Sequence, residues 1–281
     1  MPFHRFEDYE SNFLTPHLST GQAPVIEGRY MYFCLLHKNA GTGSDLHYHP
    51  NELLIFPVSG KINAIVGKDR RIVAPGTFVH APAYARHSMR ATEDGDLQYL
   101  YIKDKTWTVV GLAEDEAVPD QAMTVDEVNR KYGVGERDKH QKAQGTSQAI
   151  VEGLPDCFYP LMSSLDAPPV SGRRVYSIEG ERLAFDLYDV PKGAGEPAAD
   201  AAHEMFFYIL SGELEAQCAD ERKSLRAGDI MQVSRGNAYA LQVKSPFARY
   251  TVVRSMPYLE QRIDNMTPEE AEQARVNVRA N

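Results

Sequence analysis

Short apolar or alternating runs recur along the chain, and the breaks between them carry glycine, proline, asparagine or aspartate. The first half contains the runs RYMYFCLLH, ELLIFPVSG, KINAIVG and DLQYLYIK. Apolar positions with a period of two, or short apolar runs bounded by turn residues, are typical of β-strands. Regular short strands at this spacing predict an all-β fold, organised as a sandwich or a small barrel.

The same pattern occurs twice, at a constant offset of 152 residues. Glycines and one glutamate of the first copy match the second copy without a gap: Gly41, Gly43, Glu52, Gly60 and Gly76 correspond to Gly193, Gly195, Glu204, Gly212 and Gly228. The segment NELLIFPVSGKINAIV likewise aligns with HEMFFYILSGELEAQC. Because so many ungapped matches at one offset rarely arise by chance, the chain is interpreted as two copies of one unit.

The repeat sets the predicted domain boundaries. One β unit, a sandwich or a small barrel, is predicted over residues 1–115 and a second over residues 166–260. The polar segment 116–165 is predicted to be a linker with a short helix, which a capping box from Thr124 to Glu127 opens. Segment 261–281 is predicted to be helical, with Thr267 as N-cap and Pro268 at the first helical position.

Composition limits the classes of partner. The chain has 281 residues, a formal charge of −9, 43% hydrophobic and 25% charged residues, which is ordinary for globular domains. An acidic chain offers no electrostatic basis for binding nucleic acid or an anionic membrane. It has no apolar run long enough for a membrane span, and its first residues are too polar for a signal peptide. Three distant cysteines without a C-x-x-C motif predict buried, reduced thiols in a cytoplasmic protein.

Two histidines spaced H-x-H, His47 and His49, point to a metal site. Alternate residues of a strand face the same side, so both imidazoles can reach one ion. Such a pair is weak evidence alone, because exposed strands also carry it. The segment FVHAPAYARHSM offers a third ligand, His87, that a barrel can bring beside the pair. His80 is expected to be structural and His203 to be a polar surface or interface residue. No partner is visible in the sequence for His4, His17, His37 and His140.

These residues resemble the two motifs of the bicupins. The first motif is matched by Gly41, His47, His49 and Gly60, and the second by Gly76, Pro82 and His87. Tyr84 stands where the family usually has glycine. The resemblance covers both halves of the chain and is more specific in the first. It implies two tandem jelly-roll barrels, with a divalent metal inside the first barrel on the three histidines.

The position of the acidic residue departs from the bicupin pattern. The usual ligating glutamate precedes the closing glycine by seven residues, where this chain has Leu53; Glu52 lies one residue earlier. One residue on a strand means the opposite face, so Glu52 ligates only if a bulge turns it inward. The second copy retains Glu204 but replaces the histidines by Ala199, Ala201 and Tyr239. A glutamate kept without its metal ligands favours a structural role and a three-histidine site, a type that the cupins include.

Three neutral imidazoles leave coordination positions open for a chelating substrate. This arrangement favours Fe(II), although Zn, Ni, Mn, Cu and Co also bind such ligands. One divalent ion per chain without a carboxylate is formally dicationic and favours an anionic, bidentate substrate. The resemblance implies a dioxygenase that cleaves an enol, a diketone or a hydroxy-aromatic compound.

Residues beside the predicted metal also belong to this hypothesis. Catalytic residues are not identified, but Tyr99, Tyr101 and Arg86 are candidates to contact the substrate, with Arg90 as a further one. Trp107 is expected to pack rather than to bind substrate. A non-oxygenase metal enzyme (an isomerase, lyase or hydrolase) and a non-catalytic metabolite-binding protein remain alternatives. The resemblance also implies a homodimer or a higher homo-oligomer with a small-molecule substrate.

Overall fold

The computed structural model describes residues 1–15, 18–107, 111–113, 116–118, 154–169 and 172–273. The predicted helix at Thr124–Glu127 lies outside these ranges, and so do His17 and His140. Within them, the dominant element is the antiparallel strand, as the alternating sequence pattern predicts. The three cysteines are buried and unbridged.

The described residues up to Pro160 contain a series of short strands. In chain order they are β1 (Phe3–Arg5), β2 (Asn12–Phe13), β3 (Gln22–Ala23), β4 (Val25–Glu27), β5 (Met31–Lys38), β6 (His47–Tyr48), β7 (Leu53–Ser59), β8 (Ile62–Val66), β9 (Asp69–Val73), β10 (Thr77–Ala81), β11 (His87–Ala91), β12 (Leu97–Asp104), β13 (Leu112–Ala113) and β14 (Phe158–Pro160). A 3₁₀ turn covers Phe6–Asp8.

The second half repeats this arrangement and then ends in two helices. Its strands are β15 (Arg174–Glu179), β16 (Leu183–Pro191), β17 (Gly195–Asp200), β18 (Met205–Ser211), β19 (Glu213–Cys218), β20 (Glu221–Arg226), β21 (Asp229–Val233), β22 (Ala238–Val243) and β23 (Phe247–Ser255). The helices are α1 (Pro257–Asp264) and α2 (Pro268–Gln273). Strands β7 and β18 start and end at positions related by the same offset as the sequence repeat, which supports the interpretation as two copies.

Each copy forms two antiparallel sheets around its own core. In the first barrel the larger sheet has the order β14-β10-β7-β12-β5-β3-β2, with β4 beside β5, and the smaller has the order β13-β6-β11-β8-β9. In the second barrel the orders are β1-β21-β18-β23-β16-β15 and β17-β22-β19-β20. His47 lies on β6 and His87 on β11, in the smaller sheet of the first barrel, and His49 directly follows Tyr48 at the end of β6.

Each larger sheet gains an edge strand from outside its own predicted domain. Strand β1 pairs with β21, so His4 lies opposite Ile230 in the second barrel. Strand β14 pairs with β10, so Tyr159 lies opposite Phe78 in the first barrel. The sheets therefore do not follow the predicted boundaries, because β1 of the predicted first domain joins the second barrel and β14 of the predicted linker joins the first.

The larger sheets of the two barrels pack against each other. Alternate residues along a strand face either the core of their own barrel or the core between the barrels. On β7, Leu53 and Ile55 face the core of the first barrel, whereas Leu54 and Phe56 face the core between the barrels. This division follows from the alternation of side chains across a strand. In the inter-barrel core the rings of Phe33 and Phe206 stack with centroids 4.9 Å apart. The two barrels therefore share an extensive aromatic core.

Helix α2 (Pro268–Gln273) lies within the predicted helical segment 261–281, whose last residues, 274–281, are outside the described ranges. The Thr267 hydroxyl accepts a hydrogen bond from the Glu270 N–H at 3.2 Å, and the Glu270 carboxylate accepts one from the Thr267 N–H at 2.8 Å. This reciprocal pair is a capping box. Helix α1 was not predicted; it begins at Pro257 and buries Leu259. Within the described ranges, neither helix has the length and apolar character needed to cross a membrane.

The inter-barrel core yields a stability prediction. Replacing Phe206, which is fully buried, by alanine should lower the free energy of unfolding by about 3–5 kcal/mol, because it leaves a cavity opposite Phe33. Ile72→Ala is the control, since Ile72 is 60% exposed and its loss should change stability by about 0.5 kcal/mol or less. Denaturant titration measures both. Equal effects of the two substitutions would show that the shared core does not stabilise the chain.

Candidate metal centre

Three buried histidines converge inside the first barrel. His47 on β6 lies directly opposite His87 on β11, and His49 follows β6 two residues after His47. Their candidate ligand atoms all lie within 4.8 Å of one another. The ring centroids of His47 and His87 are 4.4 Å apart, and those of His49 and His87 are 4.8 Å apart. The H-x-H spacing and the second motif therefore bring these imidazoles together.

Backbone carbonyls fix the orientation of each ring. The Nδ1 atom of His47 lies 2.7 Å from the Asp45 carbonyl oxygen. Those of His49 and His87 lie 3.0 Å and 2.8 Å from the carbonyl oxygens of Asn51 and Ala85. A carbonyl oxygen only accepts hydrogen bonds, so each Nδ1 must carry the proton. In the neutral ring this leaves the Nε2 lone pair available, which is how metal-binding histidines are commonly held.

Burial favours the neutral form of His49 and of His87. It lowers the pKa of His49 well below its usual value, and the charge of Lys103 lowers it further. Burial also lowers the pKa of His87 to about 4, against the raising effect of its hydrogen bond to Ala85. The Nε2 atom of His49 is buried without a hydrogen-bond partner among the described residues. An orphaned nitrogen beside two other imidazoles fits a divalent metal that accepts nitrogen ligands.

Glu52 points away from the histidines. One carboxylate oxygen accepts a hydrogen bond from the Glu181 N–H at 2.9 Å and lies 2.7 Å from Nε2 of His80. The other accepts hydrogen bonds from the N–H groups of Arg182 at 2.9 Å and Leu183 at 2.8 Å. The side chain is buried, so the carboxylate spans the junction of the two barrels rather than reaching solvent.

Glu204 makes the corresponding contact in the opposite direction. Its carboxylate accepts hydrogen bonds from the N–H groups of Arg29 at 2.7 Å and Tyr30 at 2.9 Å. The turns that receive the two glutamates carry glycine at equivalent positions, Gly28 and Gly180. A Cβ atom at Gly180 would lie 2.1 Å from the Glu52 carboxylate, and one at Gly28 would lie 2.6 Å from that of Glu204. Glycine is therefore required at these turns for the carboxylates to reach the backbone.

The pKa values of the two glutamates are shifted in opposite directions. Burial would raise the pKa of Glu52, but the hydrogen bond and charge of His80, together with the backbone N–H groups, outweigh it and lower the pKa. For Glu204 burial dominates and raises the pKa, although the N–H groups of Tyr30 and Arg29 oppose it. Glu52 is thus the more firmly ionised member of the pair.

A residue of the second barrel braces the loop that carries His49. The Arg182 guanidinium donates to the Pro50 carbonyl at 2.8 Å and to the Asp104 carboxylate at 3.1 Å. The Asn51 amide donates to the Asp104 carbonyl at 2.9 Å, and the Asp104 carboxylate accepts the Glu52 N–H at 2.5 Å. The role of Arg182 was not predicted from the sequence, because it depends on contacts with residues of the other barrel.

In the turn before His87, Tyr84 occupies the position where the second cupin motif usually has glycine. Tyr84 has φ +64°, in the left-handed region that favours glycine. A residue with a Cβ atom in this region costs about 1–2 kcal/mol. The Tyr84 N–H donates to the His49 carbonyl at 2.8 Å, which ties this turn to the histidine loop.

A small cavity of about 20 Å³ lies beside the histidines. It is lined by Leu14, Thr15, Ser19, Gly21, Leu36, Lys38, Ser44, His47, Leu53, His87, Met89, Tyr99 and Tyr101. Two of the proposed substrate contacts, Tyr99 and Tyr101, are therefore at the site, whereas Arg86 is not among the lining residues. Arg90 bonds to the Gly41 carbonyl at 3.1 Å, on the outside of the barrel. Trp107 packs against the barrel core.

Sequence reasoning missed two basic residues of this interior. Lys38 continues the inward-facing stripe of Tyr32, Cys34 and Leu36 on β5, and Lys103 continues that of Tyr99 and Tyr101 on β12. Both lysines are buried. The alternation that predicted the strands also places these two side chains inside the barrel, so their position could have been predicted from the sequence.

The second barrel keeps the register but not the ligands. Ala199 lies opposite Tyr239 there, just as His47 lies opposite His87 in the first barrel. Ala201 is buried at the position of His49. His203 instead contacts the Glu260 carboxylate, with Nδ1 at 3.2 Å. Among the described residues, the histidine cluster of the first barrel has no counterpart in the second.

Comparison with known proteins identifies the architecture. The family model described as "Cupin domain" matches residues 34–103, a segment that contains His47, His49 and His87. The chain has a cupin fold. No curated protein matches the sequence.

Solved cupin structures align along nearly the whole chain. AerE from Microcystis aeruginosa aligns with a TM-score of 0.60 and 14% identity, covering 91% of this chain and all of AerE. A variant of Bacillus subtilis oxalate decarboxylase aligns with a TM-score of 0.62 and 15% identity, covering 97% of this chain and 86% of that one. Another structure of that decarboxylase, from work on its Mn(II) centres, has a TM-score of 0.61, 14% identity and the same coverage. At these identities the similarity establishes the fold alone.

The contacts of Glu52 yield a prediction that separates structure from metal binding. Glu52→Gln should retain wild-type affinity for Zn(II) or Fe(II), whereas losing a carboxylate ligand would weaken binding by about 10–100-fold or more. It should lower the free energy of unfolding by about 2–4 kcal/mol, because a buried charge with several hydrogen bonds is replaced. Titration of the apo protein with metal and denaturant unfolding measure the two effects. Glu204→Gln is the matched control in the second barrel.

The same carboxylate predicts a pH dependence. The folded-state pKa of Glu52 is lowered from 4.5, so its stabilising contribution is present above pH 4.5 and is lost as the pH falls through the lower folded value. Wild-type stability should therefore fall more steeply than that of Glu52→Gln in this acidic range. Parallel slopes would show that the contacts of the Glu52 carboxylate do not stabilise the fold, whereas a large loss of metal affinity in the variant would identify Glu52 as a ligand.

Proposed function

We propose that the first cupin barrel binds one divalent metal through His47, His49 and His87. The observation that carries the proposal is the set of three buried imidazoles whose Nδ1 atoms are tied to carbonyls and whose ligand atoms converge. Glu52 is left out of this ligand set, because its oxygens are occupied by His80 and the backbone of residues 181–183. Fe(II) is the favoured ion, and Mn, Zn, Ni, Cu and Co compete for the same ligands.

We further propose that the chain is a metal-dependent dioxygenase that cleaves a small chelating anion. Bound metal would polarise the substrate and place it beside dioxygen. Neutral histidine ligands leave the charge of the ion uncompensated, which favours an enolate or another anionic chelate. An enol, a diketone or a hydroxy-aromatic compound can supply such an anionic chelating group.

The residues around the histidines have defined tasks in this proposal. Burial raises the pKa values of Tyr99 and Tyr101, so both phenols stay protonated and can donate hydrogen bonds to substrate oxygens. Leu36, Leu53 and Met89 provide an apolar wall that excludes water from the reacting groups. The second barrel, through Arg182, holds the loop of His49 in position.

A second candidate is a metal-dependent isomerase or lyase that uses no oxygen. Two protonated phenols at the cavity favour it, because they could stabilise an enolate without an oxidant. A homodimer or larger assembly remains a prediction for either candidate, and light scattering measures it.

The metal assignment predicts a set of variant phenotypes. His47→Ala, His49→Ala and His87→Ala should each reduce bound metal from about one equivalent per chain to a small fraction, since each removes one of three protein ligands. His203→Ala, a histidine of the second barrel, is the control and should retain full occupancy. Elemental analysis of anaerobically purified protein gives the stoichiometry. Two tightly bound equivalents, or full occupancy in any of the three variants, would contradict this ligand set.

The reaction class predicts oxygen consumption. The Fe(II)-loaded chain should consume dioxygen in stoichiometric proportion to substrate lost, when supplied with small β-diketones or gentisate-type aromatics. His87→Ala treated in the same way should consume none beyond the rate of free Fe(II). An oxygen electrode coupled to product chromatography measures both quantities. Substrate loss without oxygen uptake would reject the dioxygenase and favour the isomerase or lyase.

A further inference from the structure

Several strands in the described part of the chain pair with a single neighbour and leave the other edge of their backbone open. They are β1, β2, β4, β9, β13, β14, β15, β17 and β20. An open edge presents N–H and C=O groups that can pair with a strand of another molecule. Proteins usually protect such edges by short length, by charged side chains, or by proline or a bulge.

Within the described ranges, all but one of these strands carry such a protection. Strands β1, β2, β4, β13 and β14 have three residues or fewer. Strand β17 contains Pro197 and an irregular register with its neighbour. Strands β9 and β20 each begin with three consecutive charged residues. The exception among them is β15.

Strand β15 combines length, regularity and an uncharged centre. It has six residues, contains no proline, and pairs with β16 without a register shift. Its charged residues lie only at its two ends, and Val175 between them is 40% exposed. On the opposite face, Tyr176 and Ile178 pack against the core between the barrels, which holds the strand in place. A regular edge with an exposed apolar residue is well suited to pairing with another strand.

The hairpin between β15 and β16 determines which backbone groups face outward. The Gly180 N–H donates to the Leu183 carbonyl at 2.9 Å. In an antiparallel pair, hydrogen-bonded residue pairs alternate with pairs that are not hydrogen-bonded. The even-numbered residues of β15 therefore bond to β16. The odd-numbered residues, Val175, Ser177 and Glu179, direct their N–H and C=O groups towards the open edge.

This pattern makes the edge complementary to itself. Two copies of β15 can pair antiparallel about a two-fold axis at Ser177, because the outward-facing groups of both copies then meet. Val175 of one copy lies opposite Glu179 of the second copy, and Tyr176 lies opposite Ile178 of the second copy. An aromatic ring opposite a β-branched side chain is a favourable cross-strand pair.

The charges around β15 favour the antiparallel arrangement. Two arginines lie at the start of the strand, whereas Glu179 and Glu181 lie at and just after its end. Antiparallel pairing places the arginines of each copy beside the glutamates of the other, with Arg173 opposite Glu181, while parallel pairing would place like charges together. Arg173 and Glu179 already form ion pairs within the chain. Their charges therefore orient the two copies, and the backbone hydrogen bonds hold them together.

We propose that β15 is a homodimer interface, at which two copies of this chain pair antiparallel about a two-fold axis at Ser177. The two six-stranded sheets then form one continuous sheet across the dimer. Both copies use the same edge, so the contact is closed and does not extend into a filament. The proposal is independent of the metal site and assigns an assembly role to the second barrel.

Analytical ultracentrifugation of the metal-loaded protein tests the interface. At about 10–100 µM the wild type should sediment at twice the 31.5 kDa mass of one chain. Val175→Lys places a charge on the edge, and Ser177→Pro removes an outward N–H group, so each should weaken dimerisation by about 10-fold or more. Ile72→Lys is the matched control, because Ile72 is an exposed β-branched residue of β9, another strand with one open edge. It should retain the mass of the wild type.

A cysteine at the proposed axis tests the register. Ser177→Cys should form a covalent dimer under mild oxidation, because the two thiols meet at the axis, whereas the wild type has only buried cysteines and should not. A dimeric Ser177→Cys variant that does not cross-link would overturn the pairing about Ser177.

The remaining outcomes separate the interface from folding and from metal binding. A wild type that is monomeric at about 100 µM would overturn the proposal. An unchanged mass of both Val175→Lys and Ser177→Pro, or equal dissociation of Ile72→Lys, would also overturn it. Circular dichroism and metal content should match the wild type in each variant, so that loss of the dimer is not loss of the fold. If Ser177→Pro fails to fold, Val175→Lys decides, because its side chain is already exposed.

Discussion

The alternation of side chains across the large sheet of the first barrel governs what each residue can do. On β7, β10 and β12, one parity faces the histidines and the other faces the second barrel. Glu52 and Leu53 are neighbours in sequence, yet Leu53 lines the cavity and Glu52 reaches the backbone of residues 181–183. A shift of one residue along a strand reverses its faces, so no small adjustment moves Glu52 towards the three histidines.

The reciprocal hydrogen bonds of Glu52 and Glu204 join the two barrels. Each carboxylate binds backbone N–H groups of a glycine-containing turn in the other copy. Arg182 extends this junction to Pro50, next to His49, so the second barrel helps to position a candidate ligand of the first. The second copy lacks the histidines but retains the junction residues. The second copy can keep the contacts at the junction after losing the histidines, because these contacts require shape and hydrogen bonds but no metal.

Much of this arrangement could be predicted from sequence, for identifiable reasons. Strand alternation and the ungapped repeat predicted paired barrels, and H-x-H with a third histidine predicted the residues that converge. The parity of Glu52 and the persistence of Glu204 predicted a structural role. The sequence could not show that the partners of Glu52 are backbone N–H groups, because backbone contacts carry no residue signature. Long-range packing determines the pairing of β1 with β21, the pairing of β14 with β10, helix α1 and the role of Arg182, so the sequence did not predict them. Strand alternation, by contrast, could have predicted that Lys38 and Lys103 face the barrel interior.

A crystal structure of the metal-loaded chain, with anomalous diffraction measured at the absorption edge of the ion, tests the central claim most directly. The account predicts one anomalous peak per chain, about 2.0–2.2 Å from the Nε2 atoms of His47, His49 and His87. It also predicts that the Glu52 carboxylate remains on the N–H groups of residues 181–183. A peak with Glu52 in its coordination sphere, or an equally strong peak inside the second barrel, would contradict the account.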